Sequence, residues 1–111
     1  PMKNYLFLAA AIICETIGTT FLKKTENFSK PLPTIIFVLA MTASFYLLTF
    51  ALRSIPMGIA YAIWSAVGIV LISTVGYFVY KQALDAPAIL GMAFIVIGVV
   101  IINIFSKSSA H

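Results

Sequence analysis

The chain is 111 residues long, 62% hydrophobic and only 9% charged, with a formal net charge of +4 and a mean hydropathy of +1.10. So little polar surface excludes a water-soluble globule of this size. The basic residues stand singly or in pairs between apolar runs, as membrane anchors do, so the net charge does not point to nucleic acid. A single cysteine, Cys14, excludes a disulfide framework within the chain, and no grouping has metal-ligand spacing, so neither metal nor other cofactor is expected.

Pro1 ahead of Met2 reads as an addition before the natural start. Four apolar runs follow, at about residues 5–22, 34–52, 57–80 and 87–105. Each is long enough to cross a hydrocarbon core of about 30 Å as a helix rising about 1.5 Å per residue. Helix is the required state, because a lone strand in lipid leaves its backbone groups unpaired. The expected architecture is an all-α integral membrane protein, a single four-helix transmembrane domain over residues 1–111. Pro31, Pro33, Pro56 and Pro87 fall at the breaks, while all six glycines fall inside spans, where they permit close helix approach.

The first run carries Glu15 near mid-membrane. An ionised acid at such depth costs roughly 2.5–3.5 kcal/mol on insertion scales. No Lys or Arg lies at matching depth in another run. The carboxyl is therefore protonated, wet, or paired with a cation from outside the protein, and it can hold a proton or a cation but not both. Leu8, Ala11, Ile12, Gly18, Thr19 and Leu22 share its helical face. Ala11 and Gly18 would leave space beside the carboxylate or admit another helix. A cleavable signal peptide does not fit a run of this length containing an acid.

The link "KKTENFSKPLP" leads to the second run, where Ser44 is a hydrogen-bond partner for a protonated Glu15 and a candidate lining residue. Phe45 and Tyr46 could line or pack. After "RSIP", the third run places Tyr61, Trp64, Ser65 and Gly68 on one stripe. Trp64, the only tryptophan, lies well inside the span rather than in an interface belt. With Tyr61 it can hold a delocalised cation through cation–π attraction. Gly68 is a candidate hinge. Aromatic residues nearer span ends, such as Phe7, Tyr77 and Tyr80, mostly suit interface belts, and Tyr5 among them is also a candidate lining residue. Beyond "KQALDA", where Asp85 suits a helix N-terminus, the fourth run carries Ala88, Gly91 and Gly98 on one stripe. That stripe is expected to contact a second chain.

With four spans, Lys3, Arg53 and Lys107 share one side of the membrane, and Lys23, Lys24, Lys30 and Lys81 the other. Three cations against four give no clear inside bias. Both a single orientation, tipped by His111 or the amino group, and antiparallel pairing of two copies are open on this count.

"CETIGTTFLKKTENF", "IPMGIAYAIWSAVGIVLIS" and "GVVIINIFS" together resemble the small multidrug resistance transporters, over nearly the whole chain. The resemblance implies an antiparallel, asymmetric homodimer of four-helix subunits. Glu15 of both subunits would bind proton and substrate competitively, Tyr61 and Trp64 would stack on the substrate, helices one to three would line the site and helix four would dimerise. The implied activity is export of lipophilic and quaternary ammonium cations across the bacterial inner membrane, driven by protons. Gly18, where a guanidinium-exporting branch commonly carries tryptophan, favours the broader branch. Two departures from the family pattern, Met41 and Ala66, bear on substrate range and on flexibility of the third helix. A guanidinium exporter is the nearer alternative, and a rotor-type proteolipid with a proton-carrying acid is the more distant one.

Overall fold

A computed structural model describes residues 2–107; Pro1 and His111 lie outside the described residues. Four helices account for nearly all of them: α1 (Met2–Lys24), α2 (Pro31–Ala51), α3 (Met57–Tyr80) and α4 (Ala86–Phe105). All four are long and apolar enough to cross a membrane. No strand occurs among the described residues.

The helix ends follow from local chemistry. α2 begins at Pro31, ahead of the apolar run expected from 34, because the first turn of a helix has no use for the N–H groups that Pro31 and Pro33 lack. Lys30 before it is extended, as a residue preceding proline must be. At the start of α4, the Asp85 carboxylate accepts from the Ala88 amide at 3.0 Å and Pro87 occupies the first turn. α3 closes with Lys81 in the left-handed region, φ 56°, and the Gln82 amide donating back to the Gly76 carbonyl at 2.9 Å.

The α1–α2 connection is less conventional. Glu26, Asn27 and Phe28 all have positive φ, at 47°, 61° and 66°, without a glycine among them. Each such residue costs roughly 1–2 kcal/mol in isolation, so the surroundings must over-determine the turn. Thr25 does so from a buried position, 1% exposed. Its hydroxyl donates to the Leu22 carbonyl at 2.7 Å and accepts from the Phe28 amide at 3.2 Å. Its carbonyl accepts from the Ser29 and Lys30 amides at 2.9 and 3.1 Å.

Packing is uneven. α1 lies chiefly against α2 and more lightly against α3, while α4 touches α3. The molecule is a plate, 46 × 35 × 17 Å in its principal extents. Its core sits toward the α1 N-terminus, where Leu8 and Ile12 meet Ala51, Ile55 and Ala60. Tyr80 ties the other end together, its hydroxyl donating to the Thr20 carbonyl across α3 and α1. No residue of α4 is buried.

Because removing the Thr25 hydroxyl leaves the Phe28 amide without its acceptor, while the Leu22 carbonyl keeps only the Thr25 amide, Thr25→Val should destabilise the fold by about 1–3 kcal/mol. Thermal unfolding in detergent, followed by helical circular dichroism, measures this. An unchanged midpoint would mean that the turn does not depend on Thr25.

Candidate functional site

The helical wheel explains which side chains meet Glu15. At about 100° per residue, Ala11 and Gly18 fall on one flank of Glu15, and Ile12 and Thr19 on the other. α2 covers the first flank. Ser44, fully buried, donates from Oγ to the Ala11 carbonyl at 2.6 Å, so it does not pair with Glu15 as expected. A Cβ on Gly18 would stand 3.0 Å from Met41 Sδ and 3.4 Å from the Ala40 Cβ. The space expected beside the carboxylate at these small residues is therefore filled by α2. Leu8 and Ile12 are likewise core residues, each 1% exposed, rather than lining. In lipid, where burial of apolar surface does not drive helices together, such close contact is the main source of association.

The second flank is open. Glu15, Thr19, Trp64, Ser65, Gly68, Ile69 and Ile72 line a groove of about 200 Å³ between α1 and α3. Glu15 is half-buried there, and Thr19 Oγ1 donates to its Oε1 at 2.8 Å. Among the described residues the sole ion pair is Lys30–Glu26, at 3.6 Å on the surface, so no basic side chain of the chain neutralises Glu15. A half-buried carboxylate steadied by one hydroxyl, facing an indole, can take a proton or an organic cation.

Trp64 also lines a second cavity of about 80 Å³ with Leu48, Leu52, Met57, Ala60 and Tyr61. The expected stripe is thus divided. Ser65 and Gly68 line the Glu15 groove, whereas Tyr61, one turn nearer the α3 N-terminus, lines only the second cavity and is 61% exposed. Within one chain Tyr61 does not share the groove. α3 runs unbroken through Gly68, and a Cβ there would lie 3.7 Å from Trp64 Cδ1. Tyr5 is half-buried against the core, its hydroxyl buried and without a partner among the described residues. Ala88 is half-buried, Gly91 is exposed and Gly98 half-buried, and a Cβ on either glycine would meet nothing in the chain.

Ile69 and Ile72 were not singled out in the sequence, although they follow Ser65 and Gly68 at four-residue steps. Nor was the continuation of the groove. A further cavity of about 160 Å³, lined by Thr19, Thr20, Lys23, Ile72, Val75, Gly76, Tyr80 and Gln82, shares Thr19 and Ile72 with the first. It carries the open flank to the helix ends, where Lys23 Nζ lies 5.1 Å from the Tyr80 ring centroid.

The sequence profile of the family described as "Small Multidrug Resistance protein" matches residues 3–95. A multidrug transporter of Pseudomonas aeruginosa is 48% identical over 110 residues, covering 99% of this chain and all of the relative. The multidrug transporter EmrE of Escherichia coli is 49% identical, again over 99% of this chain and all of the relative. The quaternary ammonium compound-resistance protein QacE of Escherichia coli is 44% identical over the same shares.

Since Ser44 joins two helices rather than lining the groove, Ser44→Ala should lower stability by about 0.6–1.7 kcal/mol, the range for an interhelical hydrogen bond in a membrane protein. It should leave the quenching of Trp64 fluorescence by an aromatic cation unchanged. Loss of quenching at full stability would return Ser44 to the binding surface.

Proposed function

The chain belongs to the small multidrug resistance family, and on that premise we propose that it exports lipophilic and quaternary ammonium cations in exchange for protons, with both competing for Glu15. The observation that carries this reading is the Glu15 carboxylate in a groove opposite Trp64, without a basic partner among the described residues. Two relatives are named as multidrug transporters and a third as a quaternary ammonium compound-resistance protein, which supports the substrate class.

The working unit is an antiparallel homodimer in the bacterial inner membrane. A plate 17 Å thick encloses no chamber of drug size by itself. Two plates facing each other would pool two Glu15 grooves, and the exposed Tyr61 of each would reach the shared space beside Trp64. The unburied stripe of Ala88, Gly91 and Gly98 on α4 joins the copies. With the subunits opposed, inward and outward facings become equivalent by exchange of roles, the between-chain form of an inverted repeat. Bending of α3 at Gly68 would serve that exchange. A cation displaces protons from Glu15 on the inner side, and protons displace the cation on the outer side.

Met41 against Gly18 bears on substrate choice. A large aromatic residue at 18 would have to displace α2, so the close α1–α2 contact seen here goes with the glycine. Together with the relatives named for quaternary ammonium resistance and multidrug transport, it supports the broad cation reading over a guanidinium-selective one.

Glu15→Gln should abolish proton-driven cation uptake into proteoliposomes. Binding of tetraphenylphosphonium to the unaltered protein should weaken as pH falls, and the variant should lose that pH dependence. Full uptake by Glu15→Gln would refute the assignment. Trp64→Leu, which keeps apolar bulk but removes the ring, should reduce affinity roughly two- to thirtyfold, the span of a cation–π contact. Calorimetric titration measures it, and an unchanged affinity would remove Trp64 from the site.

A further inference from the structure

The end of the molecule away from the Lys23 mouth carries an arrangement that the exchange chemistry does not use. Phe7 of α1 and Phe50 of α2 stack with ring centroids 5.0 Å apart and planes at 21°. Tyr46 meets Phe50 edge-on at 5.1 Å. The Arg53 guanidinium folds back over Phe50, with Cζ 5.0 Å from the ring centroid. Lys3 lies one helical turn beyond Phe7, toward the same end as Arg53, on the face that Phe7 presents.

Neither cation has an acidic partner among the described residues. The chain has three acidic side chains. Glu15 is mid-helix, while Glu26 and Asp85 follow α1 and precede α4 at the opposite end. Arg53 and Lys3 are exposed, and no side-chain hydrogen bond engages either among the described residues. Stacking on Phe50 holds one face of the guanidinium while leaving its edge of N–H donors free, the edge that fits a phosphate in bidentate fashion. The four helices span a membrane, so the groups that meet this end are lipid headgroups.

We propose that Arg53, set over Phe50 of the ring stack, and Lys3, one turn beyond Phe7, form a binding site for the phosphate of an anionic phospholipid. The ring pair holds the guanidinium at the level of the α2 end, and Lys3 adds the second charge. Phe7 and Phe50 belong to the two helices that flank the core, so an occupied site fixes α1 and α2 together at that depth.

Native mass spectrometry of the protein from micelles containing equal phosphatidylglycerol and phosphatidylcholine tests this. The intact chain should retain phosphatidylglycerol preferentially. Arg53→Gln and Lys3→Gln should each reduce that preference about fivefold, the size of one cation–headgroup attraction. Phe50→Leu should reduce it less than Arg53→Gln, and Lys81→Gln, at the opposite end, should leave it intact. Arg53→Lys retains the charge and gives a second reading free of folding defects; it should fall between the intact chain and Arg53→Gln. Equal retention of both lipids, an equal loss with Lys81→Gln, or no effect of Phe50→Leu would overturn the proposal. Displacement of the lipid by soluble glycerol phosphate at matching concentration would also do so, by making the site one for free phosphate.

Discussion

An ionisable carboxylate held inside a low-dielectric slab, with no cation among the described residues paired to it, is the constraint around which the molecule is arranged. Charge at that depth is costly, so whatever balances it must come from outside. Glu15 meets this condition in a groove with a hydroxyl on one side and an indole on the other. The remaining charged side chains lie at or beyond the helix ends, where water and headgroups carry the cost.

α1 serves two opposed demands. One flank must lie close to α2, because lipid gives helices no hydrophobic reason to associate. The small residues Ala11 and Gly18, with Ser44 and Met41 opposite them, provide that contact. The other flank must stay open, and Thr19 keeps it polar. A single helix thus carries the structural seam and the open groove about a quarter-turn apart.

The helices were legible in the sequence because long apolar runs broken by prolines allow few other solutions. The half-buried acid at Glu15, the inward tryptophan at Trp64 and the cap at Asp85 were legible for a related reason. A mid-span acid is costly where it stands, a lone tryptophan inside a span is away from its usual belt, and an aspartate just ahead of a proline-started helix suits a cap. The division of faces was not. Residue spacing gives angles about one helix axis and says nothing of where the neighbouring helix stands. Ala11 and Gly18 therefore left lining and helix contact both open and Ser44 read as lining, when all three lie in the contact between α1 and α2. Tyr61 and Trp64 read as one stripe, and they do share a cavity, but only Trp64 reaches the groove at Glu15 as well. The start of α2 at Pro31 and the glycine-free left-handed turn at Glu26–Phe28 were hidden because hydropathy is blind to backbone geometry. A site completed by another copy would be half invisible in one chain for a further reason, since its other walls are far away in every register of the sequence.

The left-handed turn has a mechanical consequence. Thr25 binds it from both sides, and the chain emerges from α1 already reversed and laid along α2 through Gly18 and Ala11. The first two helices therefore form a stiff beam, whereas the fourth hangs from α3 alone. Deformation concentrates in the lighter joints of a body, and here the beam meets the rest of the chain through the lighter contact of α1 with α3. Motion would tilt the Glu15 wall as a unit against the Trp64 wall, so the acid would change its surroundings without the segment that carries it having to unwind.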